Sequence, residues 1–372
     1  MLLGLGGWLV YAWALRGQIA EDSMVFHIAA RAWIDGLGSR LYDGFWITQQ
    51  INQHFAAWLA KPLPLHPWVY PPSFLLLTLP FGYLPFAVAF PVFELASFAA
   101  FAAAARSQVT KGRFMLVALL LSPATAANVL LGQNGFITGA LLVGGMGLLR
   151  SSPVVAGVLL GLMSYKPQFC MLIPVALLAS RSWRTAVVAA CTAAVLALAS
   201  VAVFGIHPWQ SWVGLMSGGS GLFHDWVREA RINGMSVYAC AVLLGASPGV
   251  ANLAQATAIL VSGAAVYRAF AFHGAMREQV RLAVFLAATV LAAPHVANYD
   301  AVLLAMSAIL VVSVVSQEGF GARECVLASL IWLCPLFNPP AAFRIGLLTP
   351  ILLLVFIGVL VSQARQPEQC AA

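Results

Sequence analysis

The sequence predicts an all-α polytopic membrane protein: a bundle of about 10–12 transmembrane helices, with amphipathic helices in its first outer loop. Three observations carry this. Hydrophobic residues make up 62% of the 372 and charged residues only 8%, where a soluble domain carries about 25% charge. The mean hydropathy is +0.91. Apolar runs of about 18 or more residues recur from end to end. In lipid every backbone amide must be satisfied within its own segment, so such runs are helices or a closed barrel. These are too long and too continuously apolar for barrel strands.

The expected spans are roughly 1–16, 72–105, 113–131, 134–149, 153–165, 168–180, 184–204, 249–267, 281–294, 298–316, 323–336 and 345–363. They form one membrane domain over 1–372. Residues 1–15 lack a basic n-region and a small-residue cleavage site, so the first run reads as an uncleaved span. Its nearly absent flank points to a truncated or mis-assigned start.

Basic residues in short loops set the orientation. With the N-terminus inside, the inner side collects Arg106, Lys111, Arg113, Arg150, Arg181, Arg184, Arg268, Arg277, Arg281, Arg323 and Arg365, 11 of the 19 basic residues. The outer side then holds two long loops, about 17–71 and 205–248. It also takes the turns GQNG (132–135), YKPQ (165–168), PHVANYD (294–300) and FNPPAAFR (337–344). Polar and acidic turns thus converge on one face.

In the first loop, Val25, Ile28, Ala29 and Ala32 fall at helical spacing, and His27, Arg31 and Asp35 form a polar stripe. This predicts an interfacial amphipathic helix. A second follows with Ile47, Ile51, Phe55 and Trp58 on one side. The prolines of LPLHPWVYPPSF cannot continue a helix and lead extended into the second span.

Composition also excludes functions. The net charge of +7 comes from basic residues spread singly, so no nucleic-acid surface is expected. The six cysteines make no CxxC or zinc-like spacing, which predicts free thiols. No phosphate-binding soluble domain, P-loop, HExxH or GxSxG is present, and GGMGLL at 144–149 lies within a span. Substrate therefore arrives from the membrane or from the outer compartment.

Several motifs in order carry a resemblance: EDSMVFHIAARAWIDG…LYD from residue 21, YPPSFLLLTLPFGYLP (70–85), GQNGFITGALL (132–142), AGVLLGLMSYKPQFCMLIPVALLASRSWR (156–184), NGMSVYA (233–239) and PHVANYDAVLL (294–304). Together they resemble glycosyltransferase family 87, the polyprenol-phosphate-mannose-dependent mannosyltransferase-like proteins. The resemblance implies a GT-C-type bundle with its active site on the outer face, here the periplasmic side of a bacterial inner (plasma) membrane. It implies inverting transfer of a hexose, mannose in the family, from a polyprenyl-phosphate donor to a glycan or glycolipid acceptor.

Such chemistry needs a base for the acceptor hydroxyl, groups that hold the departing phosphate, and an apolar path for the lipid tail. Asp22 aligns with the family's first-loop acid and is the candidate base. Its other reading is an N-cap for a helix starting near Ser23. Glu21 is the rival base or a solvated carboxylate. Lys166 sits at a Pro-interrupted junction and suits the donor phosphate, or snorkels to the interface; Gln168 would assist it. His295 suits phosphate or a sugar hydroxyl, or a backbone carbonyl. Asp300 orients a base, binds sugar or balances Lys166. Tyr70, Gln133, Asn134, Asn233 and Ser236 are pocket polars or turn and cap formers. Arg231, with Arg228, clamps a phosphate or anchors to lipid.

No cofactor is required. Asp22, Asp300 and His295 suggest at most a sparse divalent-metal site, and no spacing demands one. Glu94, inside the second span, reads as a bundle-interior hydrogen-bonding group. The rival functions are a secondary transporter or lipid-linked glycan flippase, which would gather charge at the bilayer midplane between repeats, and a non-catalytic assembly subunit, in which Asp22 would be replaceable.

Overall fold

The computed structural model describes residues 2–16, 19–109, 112–217, 234–271, 276–318, 321–337 and 348–362. Every regular element among them is helical. In chain order these are α1 (Leu2–Ala14), α2 (Glu21–Ile34), α3 (Gly44–His54), α4 (Pro72–Thr78), α5 (Phe86–Arg106), α6 (Gly112–Leu120), α7 (Pro123–Leu131), α8 (Gly135–Gly147), α9 (Pro153–Leu162), α10 (Pro167–Cys170), α11 (Ile173–Ala179), α12 (Trp183–Phe204), α13 (His207–Met216), α14 (Val237–Leu243), α15 (Pro248–Ala271), α16 (Glu278–Ala292), α17 (Val302–Glu318), α18 (Ala322–Leu333) and α19 (Leu348–Ser362).

Three of these, α5, α12 and α15, are long and apolar enough to cross a membrane on their own. Proline explains why others are shorter than the sequence predicts. The run 72–105 is not one span. It divides into α4, a 3₁₀ turn (Leu79–Tyr83) and α5, because Leu84 takes ψ 150° ahead of Pro85. The run 113–131 likewise bends by 55° between α6 and α7. There Ser122 is extended (ψ 134°) before Pro123, and its hydroxyl oxygen accepts from the Ala124 N–H. Lys166, at ψ 78° before Pro167, divides the segment between α9 and α10.

The centre is α16 packed on α15 and α17. Every residue of α16 from Val280 to Ala292 is buried, as suits a helix apolar on all sides. Gly157 and Gly161 of α9 bring its backbone against α12; a Cβ at either would strike Thr185–Thr192.

The first loop folds as two helices. Val25, Ile28, Ala29 and Ala32 are buried as expected, and Arg31 pairs with Asp35 at 2.9 Å. Met24, Phe26 and Ala30 are buried as well, so α2 is packed on most sides rather than lying on an interface. Ile47 and Ile51 are buried on α3, but that helix ends at His54, and Trp58 is half exposed beyond it.

Candidate active site

The start of α2 is set by its contacts with the turn after α7. Ala20 adopts a left-handed conformation (φ 64°), and its N–H donates to the Leu130 carbonyl at 2.7 Å. The Ser23 hydroxyl donates to the Gly132 carbonyl at 2.7 Å. Glu21 and Asp22 therefore occupy the first helical turn, where the helix dipole favours negative charge.

Asp22 is not the N-cap. The helix begins ahead of it, and no side chain caps Ala20. Its Oδ1 lies 3.0 Å from His66 Nε2 instead, with side chains 19% and 20% exposed. His66 comes from the Pro-rich segment before α4. Its backbone N–H donates to Thr48 Oγ1, whose hydroxyl donates to the Gly44 carbonyl. Burial works against the charged imidazole, but the hydrogen bond and charge of Asp22 and the charge of Glu21 outweigh it and raise the His66 pKa. Burial, then repulsion from Asp22, pushes the Glu21 carboxyl up to about 7, against a smaller pull from His66.

A second cluster adjoins the first. Lys166 Nζ donates to Asp300 Oδ1 at 2.8 Å, with 3% and 2% of the side chains exposed. Asp300 Oδ2 accepts from the Ala297 N–H. The ammonium also sits over the Tyr299 and Phe169 rings, at 5.2 and 5.5 Å. Of the readings open to Asp300, the one the structure shows is the counter-ion to Lys166.

Tyrosines join the two clusters. The Tyr70 hydroxyl donates to Gln133 Oε1 at 3.3 Å. Burial, then Asp22, Tyr165 and Asp300, push its pKa well above the ordinary phenol value. Tyr299 lies within electrostatic reach of Asp300, Tyr70, Asp22 and Tyr165. The Tyr165 hydroxyl bonds Thr138 at 2.7 Å. Both carboxylates, Asp22 and Asp300, thus act on the same two phenols, so the chain brings them into one neighbourhood.

The other predicted residues fall around this core. Gln133 is buried, and its Oε1 also accepts from the Asn134 N–H. Asn134 is fully buried beside Tyr70, yet neither atom of its amide makes a hydrogen bond of normal geometry. Gln168 is half-buried in α10 next to Lys166. His295 is partly buried in the turn leading to Asp300. Ser236 caps α14, its Oγ accepting from the Ala239 N–H at 3.2 Å. The Met235 N–H donates to Val296 and ties that cap to the same turn. Arg231 and Asn233 lie outside the described residues.

Sequence reasoning misses His66, whose partner is 44 positions away, and Tyr165 and Tyr299. Glu94 does bond within the bundle, as expected. Its Oε2 accepts from Asn128 Nδ2 at 3.1 Å, and Asn128 holds both the Gln133 carbonyl and the Gly135 N–H. Among the described residues no three His, Cys, Asp or Glu side chains converge as metal ligands would. An aromatic groove lined by Phe26, Thr78, Phe81, Phe86, Phe90 and Phe93 runs beside Ser23.

The arrangement offers a carboxylate oriented by an imidazole, a buried ammonium, and amide and phenol donors, next to an apolar groove. Comparison with known proteins adds one finding. The sequence model of glycosyltransferase family 87 matches residues 68–297, more than half of the chain. The matched stretch includes Tyr70, Gln133, Asn134, Lys166, Gln168 and His295; Glu21, Asp22 and His66 precede it, and Asp300 follows it. No curated protein and no solved structure gives a significant match.

Proposed function

The chain belongs to glycosyltransferase family 87, a family of membrane sugar transferases, and from that premise we propose that it moves a hexose, mannose by family likeness, from a polyprenyl phosphate to a glycan or glycolipid acceptor. In this reading the fold is of the GT-C type. The clustered turns face the outside of a bacterial inner membrane, and the lipid tail enters along the aromatic groove.

The carrying observation is the Asp22–His66 contact at 3.0 Å, set in the same neighbourhood as Lys166 and Asp300. His66 orients the carboxylate. Asp22 takes the proton of the acceptor hydroxyl as its oxygen attacks the anomeric carbon. The bond from that carbon to the phosphate oxygen breaks, its electron pair leaves with the polyprenyl phosphate, and the anomeric centre inverts. A placed carboxylate contributes about 10²–10⁴-fold to such a step.

Asp22 is preferred to Glu21 because its carboxylate is the one held by His66; Glu21, raised to about 7 by burial and by Asp22, is the rival base. Lys166 serves the leaving group. An ammonium has three N–H donors, and Asp300 engages one of them. A donor phosphate would take the others, adding charge stabilisation where the leaving oxygen develops its charge. Asn134, buried beside Tyr70, would turn its amide to the sugar or phosphate. His295, Gln133 and Gln168 complete the polar lining.

The test is to incubate purified protein with labelled polyprenyl-phosphate hexoses and a panel of glycan acceptors. Labelled product with inverted linkage supports the reading. Movement of intact lipid-linked sugar across vesicles without any new glycosidic bond would favour a flippase instead.

A further inference from the structure

A polar cavity lies far from this site. The helix α8 begins at the Gly135 turn and α16 ends next to the Pro294–Asp300 turn. Their opposite ends enclose a cavity of about 70 Å³, whose polar lining is Gln108, Arg150, Ser180, Ser182, Glu278 and Arg281. One water needs roughly 10–15 Å³, so the space admits several waters or one phosphate-sized group. The 15 residues of α16 span about 22 Å, too far for this cavity to share a ligand with the Lys166–Asp300 region.

Its charge is unbalanced. Arg150 Nη1 and Arg281 Nη2 both reach the same Glu278 oxygen, Oε1, at 3.0 and 3.3 Å. Two guanidiniums share one carboxylate, and that carboxylate is 61% exposed. Arg281 is only 8% exposed, and its Nε is sealed from solvent without an acceptor. A buried donor left unpaired is costly. Two hydroxyls, of Ser180 and Ser182, line the same cavity. Ser180 and Ser182 pair at 2.8 Å, and Arg181 between them takes φ 55°, a turn that L residues rarely adopt.

We infer that this cavity binds a phosphate group, held by Arg281 and Arg150 with the hydroxyl of Ser182. Two sources offer that chemistry: the headgroup of an anionic membrane lipid and a free phosphate in solution. Neither depends on the proposed transfer reaction.

The experiment compares thermal unfolding of the full chain in three settings: phosphatidylcholine nanodiscs, nanodiscs containing phosphatidylglycerol, and detergent with inorganic phosphate. Occupancy should raise the wild-type Tm by about 2–4 °C, and Arg281→Gln and Arg150→Gln should lose the increment. Arg150 is 57% exposed, so its variant remains informative if Arg281→Gln fails to fold. A rise only with phosphatidylglycerol assigns the site to lipid, and a rise with inorganic phosphate assigns it to a free anion. Arg113→Gln, at an exposed arginine outside the cavity, should keep the full increment. No shift in either setting, or equal loss in Arg113→Gln, overturns the inference.

Discussion

Lys166 and Asp300 stand 134 positions apart in the chain and meet at 2.8 Å, almost wholly buried. Their pairing fastens the α9–α10 junction to the turn after α16. Removing one partner strands the other charge, which costs about 3–5 kcal/mol. Lys166→Met should therefore lower unfolding stability by that order. A Lys166→Met/Asp300→Leu double variant should regain most of it, because two apolar groups need no counter-ion. Sugar transfer should stay lost in both. Chemical denaturation with a parallel transfer assay reads the two effects. A double variant that is stable and fully active would leave Lys166 without a role at the phosphate.

The two neighbouring acids are separable. Asp22→Asn keeps shape and still hydrogen-bonds His66 but accepts no proton. Transfer should fall about 10²–10⁴-fold, with stability changed by less than about 1 kcal/mol. Glu21→Gln should retain most of the activity. The opposite pattern, with Glu21→Gln inactive and Asp22→Asn active, would move the base by one residue.

Why was Asp22 legible in the sequence and its partner not? An acidic pair in so apolar a chain stands out, and the helical spacing after it fixes which residues turn inward. His66 offers no periodicity. It sits among prolines, and only the folding of α3 through Thr48 and Gly44 brings it to Asp22. The GQNG, YKPQ and PHVANYD turns announce themselves as polar breaks, so their common side was readable from parity alone. What pairs within them was only half readable. Balance between Lys166 and Asp300 was one option among several, and burial decides it. Span breaks at Leu84 and Ser122 were missed because hydropathy sums over proline, whereas the backbone before a proline turns extended.

Titration near α2 should shape stability with pH. Glu21 has its folded pKa raised to about 7 from an ordinary 4.5. A raised acid binds its proton more tightly when folded, so this contribution is full below about 4.5 and lost as pH rises through about 7. His66 is also raised. Its stabilisation is full below an ordinary 6.5 and fades as pH climbs through the higher folded value. Both act in one direction, so Tm should decline from pH 5 to pH 8. Glu21→Gln should flatten the lower part of that decline, and His66→Gln the upper part. A wild-type Tm that climbs across the window would contradict both assignments.

Gly132 and Gly36 separate strain from packing. Both take positive φ, 70° and 76°, where an L side chain costs about 1–2 kcal/mol. Nothing lies within 4 Å of a Cβ placed on Gly36, whereas one on Gly132 would strike the Ser23 side chain and come within 3.1 Å of the Ala20 Cα. Alanine at 36 therefore carries strain alone. At 132 it carries strain and also displaces the start of α2, which aims Asp22. The expectation is that Gly36→Ala loses stability but keeps its transfer rate, while Gly132→Ala loses both. Adding Ser23→Ala to Gly132→Ala removes the closest clash, at the hydroxyl, but leaves the Cβ of residue 23 at 2.8 Å and the strain in place, so it should restore part of the rate and little of the stability. Melting curves and initial transfer rates on the four proteins read this out. Equal rate losses for Gly36→Ala and Gly132→Ala would mean that the contact between α2 and the GQNG turn does not position the base.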